Sequence, residues 1–188
     1  KGPEVRLTGI SDPDGISVNK GDFVYFLAGE EQESSKDALY TNCRTFVRDV
    51  PAGARILIDD GSVELMVVEK DDERLICEIR NSGIIKGKKS VNVPNVHISL
   101  PALTDKDKVF VRWAIEADID FIAHSFVRNK EDLFEIQEIL DANASHIKII
   151  SKIENQQGID NIDEILTYCY GVMIARGDLG VEIAAEKI

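Results

Sequence analysis

The sequence predicts an α/β protein in two parts, one rich in short strands and one in which helices and strands alternate. Three observations carry that reading. From about residue 8 to 93, short apolar segments are broken by turn residues; after Pro101 apolar residues recur at helical spacing; and near the end two apolar strands each run up to a carboxylate. The first part reads as a small β-barrel or sandwich. The second, ordered αβαβαβ with short links, calls for a parallel sheet, either doubly wound or closed into a barrel.

In the first part the strand segments are 22–27, 55–58, 63–68 and 75–79, with turns supplied by Asn19-Lys20-Gly21, Asp59-Asp60-Gly61 and Asp71-Asp72. One helical turn is expected near Ser34 to Leu39. In the second part Thr104 and Asp107 form a capping-box start to a helix over 105–117, whose apolar positions are Val109, Phe110, Trp113, Ala114 and Ala117. A strand over 120–126 follows. Asn129 caps a helix carrying Leu133, Ile136, Ile139 and Leu140, and the next strand runs from Ile147 to Glu154. Ile162, Ile165 and Leu166 mark another helix before the strand that starts at Gly171.

Composition narrows the function classes. With 188 residues, 44% of them hydrophobic, the chain can bury a core as one large or two small domains. Its 22 basic and 34 acidic residues give a net charge of −12, which argues against general affinity for nucleic acid or an anionic membrane. Any anionic ligand must be met by locally placed cations. No apolar run approaches the roughly 20 residues of a membrane span. The three cysteines, Cys43, Cys77 and Cys169, have no metal spacing and suit a reducing, cytosolic setting. The start at Lys1 without Met and the end at Ile188 read as a piece of a longer protein.

The chemistry concentrates in Lys148-Ile-Ile-Ser-Lys-Ile-Glu154 and Gly171-Val-Met-Ile-Ala-Arg-Gly-Asp178. Period-two alternation puts Lys152 and Glu154 on one side of their strand, and the intervening segment is long enough for a crossover helix. The two strands should therefore be parallel, with Glu154 and Asp178 at their carboxyl end, where α/β folds bind ligands. Two carboxylates with open positions suit Mg²⁺, which keeps several waters and completes its shell with substrate oxygens. Lys152 would add an ammonium beside the metal, able to stabilise charge on a transferring phosphoryl group or an enolate. Taken alone, Lys-x-Glu is more often a surface ion pair at a strand end. Gly177 and Asp178 lie in a loop with two glycines, where main-chain N–H groups can approach an anion.

These residues closely resemble the pyruvate kinase family. Ile147-Lys-Ile-Ile-Ser-Lys-Ile-Glu-Asn-Gln-Gln-Gly-Ile159 is similar to its active-site signature, and Gly171-Val-Met-Ile-Ala-Arg-Gly-Asp-Leu-Gly-Val-Glu-Ile183 to its metal and substrate loop. Lys1-Gly-Pro-Glu-Val-Arg6, Asp59-Asp60-Gly61, Val91-Asn-Val-Pro94 and Leu100-Pro-Ala-Leu-Thr-Asp-Lys-Asp107 match in order. The resemblance implies a partial (β/α)₈ barrel, residues 1–7 and 94–188, with an inserted small β-barrel lid at 8–93. It implies transfer of the phosphoryl group of phosphoenolpyruvate to ADP, giving pyruvate and ATP, a step of glycolysis in the cytoplasm. Lys152 would be the catalytic cation, Glu154 and Asp178 the ligands of Mg²⁺ or Mn²⁺, and Lys152, Gly177 and Asp178 the substrate contacts. Arg6 and Lys89 would meet the nucleotide phosphates, with Asp60 near the nucleotide-bound metal or simply in its turn. Glu4 implies a K⁺ requirement, and the full-length parent would be a homotetramer.

The chain departs from the family pattern at Asn95, where glycine is common, at Ala184, where proline is common, and at His124, where a small residue is usual. His124 would either line the mouth of the active site or pack as a structural histidine. Two rival functions fit parts of the pattern: a Mg²⁺-dependent aldolase or lyase that forms an enolate on a similar barrel, and a non-catalytic ligand-binding piece. The isolated 188 residues are expected to be inactive, because an incomplete barrel leaves sheet edges open.

Overall fold

A computed structural model describes residues 4–29 and 32–183. The chain divides into two compact units: residues 4–100, and residues 101–188 together with 1–3.

The first unit contains β1 (Ile16–Val18), β2 (Phe23–Leu27), α1 (Phe46–Asp49), β3 (Arg55–Ile58), β4 (Val63–Lys70), β5 (Arg74–Ile79), β6 (Gly83–Ile85) and β7 (Val91–Asn92). Five strands form an antiparallel sheet in the order β2-β5-β4-β3-β7, and β1 pairs antiparallel with β6. Alternation along these strands sends Val24 and Phe26, Leu65 and Val67, and Leu75, Cys77 and Ile79 into one core. Phe46 of α1 closes it, with its ring 5.1 Å from that of Phe26. Burial alternates along β2 and β5, as expected for antiparallel strands with one covered face, whereas in β3 Ile56, Leu57 and Ile58 are all buried.

The helical turn expected near Ser34 to Leu39 is not there. Ser34 and Leu39 form isolated β-bridges with Ile10 and Phe26, and the short helix lies at Phe46–Asp49 instead. The Ser34 hydroxyl explains the difference. It accepts from the N–H of Tyr40 and donates to the Tyr40 carbonyl, closing a loop that competes with helix formation. The turn at Asp59-Asp60-Gly61 is as expected, with all three residues at positive φ between β3 and β4. Asn95 also has positive φ, 62°. Asn is among the few residues other than Gly that tolerate this conformation, so its replacement of a glycine leaves the backbone path open.

Residues 4–7, expected to begin the barrel, are hydrogen-bonded within the β-rich unit. The Leu7 N–H donates to the Lys89 carbonyl, Val91 N–H donates to the Val5 carbonyl, and Arg6 bridges to Ser90. Those bonds account for a unit that starts at Glu4, and Val96, Ile98 and Leu100 pack on the same core at its other end.

The second unit contains α2 (Asp105–Glu116), β8 (Phe121–His124), α3 (Lys130–Ala142), β9 (Lys148–Ile153), α4 (Gln156–Asp160), α5 (Ile162–Tyr168), β10 (Gly171–Ile174) and α6 (Arg176–Glu182). Its sheet is parallel, in the order β10-β9-β8. The helix starts follow the side-chain chemistry. Thr104 and Asp107 complete a capping box, Asn129 accepts from Asp132 N–H, and Asn155 accepts from Gly158 N–H. Along β9, Ile149, Ser151 and Ile153 are buried while Lys148, Ile150 and Lys152 are not, so the strand presents one face to the helices. Ile149 and Ile153 join Val111, Leu133, Ile136, Leu140 and Ile165 in a second core.

Candidate functional site

The carboxyl end of β9 is where the acidic and basic groups gather. Lys152 and Glu154 share the face opposite the helix core, as the alternation predicts, and their side chains form an ion pair. Glu154 is fully buried, and the Lys152 side chain is 23% exposed. The two oxygens of Glu154 are in different situations. Oε2 accepts a 2.7 Å hydrogen bond from the backbone N–H of Phe126, whereas Oε1 touches the Lys152 ammonium but has no aligned hydrogen bond among the described residues. The ammonium also donates to Ser125 Oγ at 3.3 Å.

A buried carboxylate is costly unless positive charge and donors surround it. One aligned N–H and one ammonium leave Oε1 with acceptor capacity to spare, which is the condition under which a cation binds. The residues present therefore fit a hard divalent ion that takes oxygen ligands. No cluster of three or more His, Cys, Asp or Glu side chains occurs among the described residues.

Asp178 corrects one expectation. Its strand does not stop on the carboxylate: β10 ends at Ile174, and Asp178 lies in the first turn of α6. Gly and Asp, poor in helix interiors, sit here at the start of the helix, where an acidic residue opposes the helix dipole favourably. β10 pairs with β9 in register, Met173 beside Lys152, so α6 begins at the same sheet end as Glu154. Ala175, the residue that caps α6, supplies no side-chain hydrogen bond to its first turn. Gly177 and Asp178 are exposed, and a Cβ added to Gly177 would meet nothing within 4 Å. Packing therefore does not require glycine there, and the main chain is open to approach.

His124 faces the other way. It pairs in register with Ser151, is buried, and lines a cavity with Val111 of α2 and Ile136 of α3. Burial pushes its pKa down to about 4, against the opposing pull of Asp132. It is a packed histidine on the helix side of the sheet. Ala184 lies outside the described residues.

Arg6 and Lys89 belong to the β-rich unit, and both already hold carboxylates. Arg6 pairs with Glu4 at 2.7 Å and donates to the Lys88 carbonyl, while Lys89 pairs with Asp59 at 3.0 Å. The Lys89 and Asp59 side chains are 40% and 34% exposed, so this pair contributes little to stability and can exchange partners readily. Asp60 keeps its turn: its carboxylate accepts from the Ser90 hydroxyl at 2.9 Å.

The family is decided by comparison of sequences. A family model described as pyruvate kinase, barrel domain, matches residues 1–188. The chain belongs to the pyruvate kinase family. It is 51% identical over 189 residues to the pyruvate kinase of Borreliella burgdorferi, covering all of this chain and 39% of that protein. It is 44% identical over 190 residues to the pyruvate kinase of Staphylococcus aureus strain MRSA252, again over its whole length and 32% of that protein. The chain thus spans between about a third and two-fifths of these relatives. No helix of the described residues is long and apolar enough to cross a membrane.

The pyruvate kinase signature contains residues whose roles were not read from the sequence. Asn155 and Gly158 hold the turn that follows β8: Asn155 Nδ2 donates to the Val127 carbonyl at 3.4 Å, and a Cβ on Gly158 would lie 2.6 Å from that same oxygen. Ser125 and Phe126, in that turn, touch Lys152 and Glu154. The strand expected over 120–126 ends at His124, so Ser125 and Phe126, read as strand residues from their apolar pattern, lie in the turn instead, with Phe126 at positive φ.

Proposed function

We propose that the full-length protein transfers the phosphoryl group of phosphoenolpyruvate to ADP, giving pyruvate and ATP. The observation that carries this reading is the fully buried Glu154, one oxygen lacking an aligned donor, paired with Lys152 at the carboxyl end of a parallel strand in a chain of the pyruvate kinase family. The family uses Mg²⁺ and K⁺. Glu154 and Asp178 would hold Mg²⁺ or Mn²⁺, which when bound supplies positive charge to substrate oxygens.

The chain's own residues do the rest. Lys152 neutralises the negative charge that develops on the phosphoryl group and on the enolate oxygen, held in place by Glu154 and Ser125. The backbone N–H groups of Gly177 and Asp178 receive the substrate carboxylate. Arg6 and Lys89 exchange Glu4 and Asp59 for the phosphates of the nucleotide, and the acidic residue at position 4 goes with a K⁺ requirement. In the full-length protein, residues 1–7 and 94–188 belong to a (β/α)₈ barrel and residues 8–93 form its β-barrel lid. The parent is a cytoplasmic homotetramer. The 188 residues alone do not turn over substrate, because a three-stranded parallel sheet cannot close around the site.

A coupled assay of pyruvate formation with the full-length enzyme tests the role of the ammonium. Lys152→Met is expected to lower kcat by about 10²- to 10³-fold, the loss typical of one preorganised charge contact. The KM for phosphoenolpyruvate should change less. An unimpaired kcat would remove Lys152 from the mechanism.

A further inference from the structure

The turn after β8 is bolted to the end of β9 at several points. Phe126 N–H donates to Glu154 Oε2, Val127 N–H to the Lys152 carbonyl, Asn155 Nδ2 to the Val127 carbonyl, and Asn161 Nδ2 to the Arg128 carbonyl. Gly158 lets α4 approach closely enough that no Cβ would fit against Val127. In the middle of this network Phe126 has φ of 55°. A large aromatic residue rarely adopts that left-handed conformation, which is unfavourable without glycine, and it persists only where its surroundings enforce it.

We propose that Phe126 is a positioning residue whose left-handed backbone, locked by Asn155 and Gly158, fixes the Glu154 carboxylate so that Oε1 is presented to a divalent cation. The inference rests on the metal reading of the proposed function and concerns the main chain, not the ring. With Phe126 in an extended conformation its N–H would point away from the carboxylate. Oε2 would then lose its one aligned donor, and the carboxylate would rotate to share both oxygens with Lys152. A carboxylate ligand held by a neighbouring donor loses about 10- to 100-fold in metal affinity when that donor is removed.

The test uses the full-length protein, with Mn²⁺ alone as the probe, in the absence of nucleotide, and the dissociation constant read by electron paramagnetic resonance. Asn tolerates the left-handed conformation and keeps the N–H, whereas a β-branched residue opposes it. Phe126→Asn should bind Mn²⁺ about as well as the wild type. Phe126→Val, and Gly158→Ala acting on the turn from α4, should bind about 10- to 100-fold more weakly. Should Phe126→Val fail to fold, the Asn and Gly158→Ala variants still decide the matter. Loss of affinity in Phe126→Asn, or unchanged affinity in Gly158→Ala, overturns the inference. Glu154→Gln separates the two levels: if it still binds Mn²⁺ normally, the metal reading fails. If only Glu154→Gln loses Mn²⁺ while the turn variants keep it, the positioning role alone fails.

Discussion

Glu154 and His124 sit on opposite faces of neighbouring strands, and burial has opposite consequences for them. Glu154 keeps the Lys152 ammonium and the Phe126 amide as partners. Among the described residues His124 Nε2 has no hydrogen-bond partner, and burial drives its pKa down to about 4, although Asp132 and Asp107 pull it up. A folded-state pKa below the ordinary value of about 6.5 means that the unfolded chain binds the proton first, so His124 costs stability as pH falls through that interval and nothing above it. In an NMR titration of the His124 ring, no protonation is expected from about pH 8 down to about 5. A midpoint near 6.5 would contradict its packing on the helix side. Lys152 and Glu154 were legible in the sequence because alternation fixes which side chains share a face. Phe126 was not, since no pattern of apolar residues records the sign of φ.

Elements with a chemical start signal were found in the sequence, and elements defined by a few residues were not. α2 is the clearest success: Thr104 Oγ1 accepts from the Asp107 N–H at 3.1 Å, and Asp107 Oδ2 accepts from the Thr104 N–H at 3.0 Å. β1, β6 and β7, with three, three and two residues, carry too few positions for alternation to show, and they are set by their partners. α4 escaped for the same reason, although Asn155 caps it. The start of α6 at Arg176 was hidden by the two glycines that read as a loop. Removing the cap of α2 should have a defined cost. Thr104→Ala is expected to destabilise the protein by about 1 kcal/mol. Chemical denaturation of the full-length protein reads this as an earlier midpoint with an unchanged slope, and an unchanged midpoint would mean that the cap is dispensable.

At the scale of the molecule, the division into a β-rich unit and a parallel α/β unit was legible from the change of apolar period near Pro101. Residues 4–7 exchange hydrogen bonds with Lys89, Val91 and Asn42 and so group with the β-rich unit. Each unit has its own core, and among the described residues the parallel sheet has two unpaired edges, β8 and β10. The function proposed above depends on what β9 and α6 bring to one end of that sheet. The most direct measurement is a crystal structure of the full-length protein with Mn²⁺ and a pyruvate analogue, with the metal located by anomalous scattering. One ion is expected at about 2.1 Å from both Glu154 Oε1 and an Asp178 carboxylate oxygen, with the Lys152 ammonium beside the analogue. An ion that contacts neither carboxylate, or an analogue bound away from Lys152, would contradict it.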